Sequence, residues 1–212
     1  MDRRELLKNI ALLTGAAVIG GELFLSGCKT GPKAAAEFSP TTISLLDEIG
    51  ETIIPATTTP GAKAAQIGEF MKVMVTDCYT QRQQDAFMSG INQVDEACKK
   101  MHSKSFMECT PEQRHALLVS LEKEAKEFNQ KRNETDKPLR EEHKKKNEAL
   151  AWKDQTEFEG SPSHYYTMMK QLTLTGFFTS KTGMTETLRH VPVPGKFDGE
   201  FPYAKGDKAW AE

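Results

Sequence analysis

Three side chains in the middle of the sequence have the types and spacing of metal ligands. Cys98 and His102 are four residues apart, so on a helix they share one face, and Cys109 follows seven residues later. Zinc binds thiolates and imidazoles, but its structural sites take four ligands, and the sequence offers no evident fourth. Packing and a disulfide are therefore favoured over a metal site here.

Motifs for other catalytic chemistry are absent from the sequence. It contains no Gly-x-Gly-x-x-Gly, no Gly-x-Ser-x-Gly, no phosphate-binding Gly-Lys-Ser/Thr loop and no haem-attaching Cys-x-x-Cys-His. We therefore expect a non-catalytic chain with no cofactor and no metal of its own. The net charge of −2, from 28 Lys+Arg and 30 Asp+Glu in 212 residues, argues against nucleic acid as a partner.

Chemistry of another kind is indicated at the N-terminus. The pair Arg3-Arg4 precedes a weakly apolar segment and resembles the twin-arginine signal, which exports folded proteins. Residues 25–28, Leu-Ser-Gly-Cys, resemble a bacterial lipobox, after which Cys28 becomes the lipidated first residue. The alternatives are an ordinary basic secretory signal and an unmodified thiol.

These features divide the chain into three parts. Residues 1–27 are predicted to be a twin-arginine lipoprotein signal peptide, residues 28–38 a flexible stalk, and residues 39–212 a helical domain. The mature chain of 185 residues is then expected in the periplasm, anchored by lipid to a bacterial envelope membrane.

The other three cysteines are expected in a compartment where disulfides persist. Cys78, Cys98 and Cys109 are an odd number, which allows one intramolecular pair and one unpaired thiol. The sequence does not decide which two would pair. The alternative is that all three are small, buried apolar side chains.

The elements that carry these residues are predicted to be helices. Apolar side chains recur every three or four residues in segments that begin near residues 40, 67, 81, 111 and 161. Ser39 and Thr110 each precede a proline, as helix N-caps do, and Gln113 completes a capping box. No strand-like alternation appears, so we predict an all-α fold, a single helical domain with an extended, aromatic-rich C-terminal segment.

A charged segment interrupts the apolar pattern of the fourth helix. The buried stripe of this helix is predicted to extend to Phe128, but residues 122–146 hold nine Lys/Arg and seven Asp/Glu. This composition predicts a solvated helical arm at about 122–150, broken or kinked near Pro138. A charged docking surface is the alternative.

The segment beyond Gly176 is predicted to be an irregular tail of more than 30 residues, rich in proline and glycine. Its aromatic side chains must be buried either against the chain's own helices or against another protein. We single out six of them as candidate interface residues: Phe177, Phe178, Phe197, Phe201, Tyr203 and Trp210.

Several short sequence blocks, spread along most of the chain, together carry a resemblance to a known family. They are Ile53-Ile54-Pro55, Thr59-Pro60-Gly61-Ala62, residues 172–180 (LTLTGFFTS) with Gly183, and Val193-Pro194-Gly195 with Phe197 and Trp210. Over roughly residues 41–210 this set resembles the gluconate 2-dehydrogenase subunit 3 family, the small subunits of membrane-associated, flavin-dependent sugar and polyol dehydrogenases. The family commonly has tyrosine where this chain has Phe177.

The resemblance implies a subunit without redox chemistry of its own. It implies a large partner of the glucose-methanol-choline oxidoreductase family, which binds FAD and lacks an export signal, and a cytochrome c that accepts the electrons. It also implies that the small subunit carries its folded, FAD-loaded partner through the twin-arginine pathway. We therefore expect an accessory subunit that stabilises and exports the flavoprotein, with the aromatic C-terminal residues at the interface.

Two other functions remain as alternatives. A free-standing periplasmic lipoprotein that binds a sugar or another envelope protein predicts a stable monomer with a concave, aromatic-lined pocket. An enzyme that uses Cys98, His102 and Cys109 predicts one bound metal ion per chain.

Overall fold

The fold is built from α-helices. A computed structural model describes residues 38–193, 195 and 198–211, and the all-α prediction is confirmed for this part of the chain. Its long helices are α1 (Pro40–Ile53), α2 (Ile67–Cys78), α3 (Gln81–His102), α4 (Pro111–Glu148) and α5 (Tyr165–Thr179). Short 3-10 turns lie at Ala62–Ala65, Phe106–Glu108 and Trp152–Asp154, and a π-helical turn, Gly183–Thr187, follows α5.

Side-chain caps set where two of the helices begin, as predicted. Ser39 Oγ accepts a hydrogen bond of 3.1 Å from the backbone N–H of Thr42 at the start of α1. At the start of α4, Thr110 Oγ1 accepts from the Gln113 N–H at 3.3 Å, and Gln113 Oε1 accepts from the Thr110 N–H at 3.0 Å. Each bond satisfies a backbone donor that the helix itself leaves unpaired.

Helix α5 is the central helix of the fold, because it contacts all four of the others. A helix that is apolar around most of its circumference belongs in a core, and α5 has this character. Thr173 is fully buried in it, and its hydroxyl donates a 2.8 Å hydrogen bond to the Met169 carbonyl. The buried side chains of α5 are Tyr165, Tyr166, Met168, Met169, Leu172, Thr173 and Phe177.

The surrounding helices each contribute one apolar stripe to the same core. The stripes follow the three-to-four spacing of the sequence, so hydrophobic burial and helix periodicity agree. Their main members are Leu45, Leu46 and Ile49 of α1, Ile67, Met71 and Val75 of α2, Phe87, Ile91 and Val94 of α3, and Leu117, Leu118 and Leu121 of α4.

Helix α4 is continuous through Pro138, so of the predicted break or kink the break is wrong. The proline lies inside a helix that continues to Glu148. Tertiary contacts stabilise this arm from the side: Asp136 accepts hydrogen bonds from the N–H (2.8 Å) and the hydroxyl (3.0 Å) of Ser161. The segment that returns from the arm therefore supports the helix where the proline weakens it.

The start of α5 also differs from the prediction. It begins at Tyr165 and is capped by His164, whose Nδ1 accepts a hydrogen bond from the Tyr166 N–H at 3.3 Å. Ser161 is not a helix cap because its hydroxyl bonds to α4. Phe128 was expected in the buried stripe of α4, but it is 47% exposed and packs its ring edge against His164 at a centroid distance of 5.4 Å.

Helical structure extends further toward the C-terminus than expected. The chain remains helical through Thr179 and resumes in the π-helical turn. Between them the Ser180 hydroxyl donates to the Phe177 carbonyl at 2.7 Å and accepts from the Gly183 N–H at 3.0 Å. Gly183 suits this turn because a Cβ there would collide with the Phe177 carbonyl oxygen. The irregular segment therefore starts at Leu188 and not at Gly176.

Among the described residues, none of the helices combines the length and the apolar character that crossing a membrane requires.

Close packing of α3 against α5 gives a stability prediction. A Cβ at Gly90 would overlap the Tyr165 side chain, so we expect Gly90→Ala to lower the free energy of unfolding by about 1–3 kcal/mol. Gly50 is a matched control because a Cβ there would meet Ala62 at 3.4 Å, an ordinary contact. Gly50→Ala should leave stability unchanged or raise it by up to about 1 kcal/mol. Denaturant unfolding of both variants measures the difference, and equal effects would contradict this packing.

Candidate functional site

Several residues of the predicted sites lie outside the described part of the chain. These are the twin-arginine pair Arg3 and Arg4, the lipidation residue Cys28 and the tail residue Phe197. The export signal and the lipid anchor therefore stay predictions.

Phe177 does not belong with the candidate interface residues. It is fully buried in the core, where α5 carries it inward, so it is not accessible to another protein. Its neighbour Phe178 lies on the outer side of the helix and is partly exposed, and the two rings meet edge to face at 5.2 Å. Of this pair only Phe178 is available for contact with a partner.

An aromatic and cationic cluster forms where the tail returns to the segment after the π-helical turn. The guanidinium carbon of Arg189 lies 5.3 Å from the ring centroid of Phe201 and 4.9 Å from that of Trp210. The two rings contact each other edge to face at 5.5 Å. We call these three side chains the Arg189 cluster. Cation–π contacts of this kind stabilise by about 0.5–1 kcal/mol each at exposed sites.

Backbone hydrogen bonds hold the Arg189 cluster together. The Arg189 N–H donates to the Ala209 carbonyl at 2.8 Å, and the Arg189 carbonyl accepts from the Ala211 N–H at 3.0 Å. This short parallel bridge places Trp210 beside Arg189. Lys208 adds a hydrogen bond from its Nζ to the Glu186 carbonyl. The end of the tail is therefore attached to the chain's own helical unit.

The Arg189 cluster nevertheless leaves much of its aromatic surface in water. Phe201 is 47% exposed and Trp210 44%, and Tyr203, between them in sequence, is 78% exposed. The tail thus packs against its own chain and still presents an exposed aromatic surface. Aromatic and arginine side chains are the types that dominate binding energy at protein–protein interfaces.

The cysteines divide into a pair and a single residue. The Sγ atoms of Cys98 and Cys109 lie 3.1 Å apart in the interior, whereas Cys78 is exposed at the end of α2. The Nε2 atom of His102 lies 3.2 Å from the Gln113 carbonyl oxygen. Within the described ranges no group of three or more His, Cys, Asp or Glu side chains could hold a metal ion.

An ion-pair group joins α1 to α4. Glu48 accepts hydrogen bonds from the Arg114 guanidinium and, at 2.8 Å, from Lys63 Nζ. Burial alone would raise the pKa of Glu48, but the hydrogen bond from Lys63 and the charge of Arg114 outweigh it, so the pKa lies below its usual value. This carboxylate stays ionised and serves the packing of two helices.

Two other titratable groups are also held by structural contacts. Hydrogen bonds from Ser161 lower the pKa of Asp136. Burial lowers the pKa of His164, although the carboxylate of Glu124 opposes the change. His164 is therefore neutral at pH 7 and can accept its capping hydrogen bond. Both groups are thus engaged in contacts that hold the fold: Asp136 with Ser161 and His164 with the Tyr166 N–H.

A shallow depression of about 490 Å³ lies on α4. Charged and amide side chains line it and no aromatic side chain does, so it does not match the aromatic-lined sugar pocket expected of a free-standing binding protein. Asn129, one of its lining residues, already donates to Thr167 Oγ1 at 2.8 Å and accepts from the His164 N–H at 3.0 Å. The lining residues are Lys126, Asn129, Gln130, Asn133, Glu134 and Lys137.

Two residues, Arg189 and Trp152, are not predicted from the sequence as candidate site residues. Arg189, the centre of the cluster, gave no local signal because its aromatic partners follow 12 and 21 residues later. Trp152 is 88% exposed in the 3-10 turn after α4. The sequence signal for this exposure is a tryptophan that has no large apolar side chain three or four residues away.

The Arg189 cluster predicts how the tail is held. Arg189→Ala removes both cation–π contacts, about 1–2 kcal/mol, so we expect trypsin to cleave after Lys205 and Lys208 roughly 5–30 times faster. Arg189→Lys keeps the charge and serves as the control, with a smaller change expected. Timed proteolysis followed by mass spectrometry measures both rates. Unchanged cleavage in Arg189→Ala would show that the cluster does not hold the tail.

Comparison with known proteins identifies the family. The family model for gluconate 2-dehydrogenase subunit 3 matches residues 40–195, from the first residue of α1 to beyond the π-helical turn. The match ends before Phe201, Tyr203 and Trp210. No curated protein and no solved structure matches the chain. The chain belongs to the gluconate 2-dehydrogenase subunit 3 family and is, by that membership, an accessory subunit of a dehydrogenase complex.

Proposed function

We propose that this chain is the non-catalytic small subunit of a periplasmic, FAD-dependent dehydrogenase that oxidises a sugar or a polyol. Its partner is a large flavoprotein of the glucose-methanol-choline family, which holds the FAD and passes electrons to a cytochrome c. The observation that carries the proposal is the family match over residues 40–195, which spans all five long helices.

Several ionisable side chains are engaged in contacts that stabilise the fold, which supports a non-catalytic role. Among the groups whose pKa values are displaced, Glu48, Asp136 and His164 each have a partner that stabilises the fold. Enzymes usually displace pKa values at the group that reacts, and this chain displaces them at helix contacts and a helix cap. The FAD of the partner supplies the hydride chemistry of the complex.

Export of the assembled complex explains the N-terminal sequence. A protein that binds FAD must fold around it where the cofactor is available, in the cytoplasm, and must then cross the membrane folded. The twin-arginine pathway accepts folded proteins, so the pair Arg3-Arg4 on the small subunit can serve both chains once they assemble. Lipidation at Cys28 then keeps the complex at the membrane.

The exposed aromatic residues of the C-terminal region form the interface in this proposal. Phe178, Phe201, Tyr203 and Trp210 remain in it, together with Phe197, which lies outside the described residues, and Phe177 is removed because it is buried. An aromatic surface held by backbone hydrogen bonds loses little conformational freedom when it binds, which favours affinity.

The export role predicts that Arg3→Lys/Arg4→Lys keeps both subunits in the cytoplasm. Lysine preserves the positive charge, so an ordinary secretory signal would tolerate the change, whereas a twin-arginine signal would not. Lys8→Arg, which leaves the arginine pair intact, is the matched control. Immunoblots of cell fractions for both chains measure the outcome. Continued export of the large flavoprotein with the double variant would refute the escort role.

The interface predicts that Trp210→Ala weakens binding of the large subunit by about ten-fold or more. Trp152→Ala is the matched control, because the chain's other tryptophan is also exposed but lies in the turn after α4. Tyr203→Ala is a second test variant, since its highly exposed ring can be removed without loss of core packing. The co-purified amount of the larger chain measures binding. An equal loss with Trp152→Ala, or none with both tail variants, would place the interface elsewhere.

A further inference from the structure

Two buried sulfur atoms meet where α3 passes into α4. Cys98 is fully buried in the apolar stripe of α3, and Cys109 is almost fully buried just before the Thr110 cap of α4. Their Sγ atoms are 3.1 Å apart, closer than two thiols need to be for packing alone. A disulfide forms only between cysteines that approach closely in the right direction, and the fold brings these two together.

The turn between the two cysteines is held in this geometry by polar contacts. The Phe106 N–H donates to Asp95 Oδ1 at 3.0 Å. The Arg114 guanidinium donates to the Phe106 carbonyl at 2.9 Å and to the Met107 carbonyl at 2.8 Å. These bonds do not involve the sulfur atoms, so the turn brings Cys98 and Cys109 together while both are still thiols.

We propose that Cys98 and Cys109 are joined by a disulfide in the mature protein, and that Cys78 remains a free thiol. The cross-link closes a 12-residue segment, residues 98–109, and ties the end of α3 to the start of α4. Cys78 is excluded from the pair because it lies exposed at the end of α2, where its sulfur contacts Met74 at 4.0 Å.

The reaction is a thiol–disulfide exchange with an oxidant that itself carries a disulfide. The Cys109 thiolate attacks the oxidant, forms a mixed disulfide and releases one thiolate. Cys98 then loses its proton and attacks the Cys109 sulfur, which forms the intramolecular bond and releases the second thiolate. Two protons and two electrons leave the protein, and the oxidant becomes two thiols. Burial raises the pKa of the Cys98 thiol to about 12. Cys98 is fully buried whereas Cys109 is 5% exposed, so the oxidant reaches Cys109 first and the first attack comes from there.

Which cysteines pair and where in the cell the disulfide forms are two separate questions. The fold alone determines which cysteines pair, whereas formation of the bond in the cell rests on the proposed export, because only an oxidising compartment maintains a disulfide. Two experiments therefore test them independently: refolding of the full chain in a glutathione redox buffer, and isolation of the exported chain without reductant.

Peptide mapping identifies the bond directly. Trypsin separates the three cysteines, with Cys78 in residues 73–82, Cys98 in residues 83–99 and Cys109 in residues 105–114. After blocking of free thiols, we expect the second and third peptides to be linked and the first to be alkylated in both samples. A link to Cys78, or alkylation of all three in the refolded chain, would overturn the pairing. A linked refolded chain with an unlinked cellular one would retain the pairing and refute export to an oxidising compartment.

Thermal unfolding distinguishes a covalent bond from packed thiols. Reductant should lower the Tm of the oxidised protein by roughly 5–12 °C and leave Cys98→Ala/Cys109→Ala unchanged. The two single variants and the double variant should lose the same stability, because either substitution removes the whole bond. Cys78→Ala is the matched control and should keep the full response to reductant. Additive losses from the single variants, with a parent protein insensitive to reductant, would show packing and no bond.

Discussion

Burial of α5 among the other four helices is the constraint on which the rest of the structure depends. The helix contacts α1, α2, α3 and α4, so its position determines the spacing of all of them. Gly90 permits the close approach of α3, and Thr173 satisfies its hydroxyl within the helix itself. Because α5 packs against four helices, its last turn has a defined direction. The Ser180 and Gly183 turn continues from there and leads the chain to Arg189.

The ionisable groups that stabilise the fold and the aromatic groups available for binding lie in different parts of the protein. Glu48, Asp136 and His164 hold helices or caps in place, so the interior is devoted to the scaffold. Two partly exposed rings, those of Phe201 and Trp210, lie instead in the C-terminal region around Arg189. A rigid scaffold that presents an aromatic surface is what an accessory subunit requires, and the family membership supports this account. Phe201, Tyr203 and Trp210 extend that surface past the matched region.

Local patterns in the sequence predicted most of the helices, and contacts between distant residues explain the errors. The caps at Ser39 and Thr110 act within one turn, so they were predictable. Pro138 remains helical because Ser161, 23 residues later, supports the arm. Arg189 and its ring partners are also far apart in sequence. Periodicity placed Cys98 on the buried face of α3, but only the folded turn shows which cysteine it meets.

In the proposed function, this chain works as a subunit of a flavin dehydrogenase. The most direct measurement is extraction of the membranes with a mild detergent, affinity purification of the chain and an absorbance spectrum of the product. The account predicts a yellow complex that contains a larger chain and shows flavin absorbance. A colourless, monomeric chain from cells that also produce the flavoprotein would contradict it.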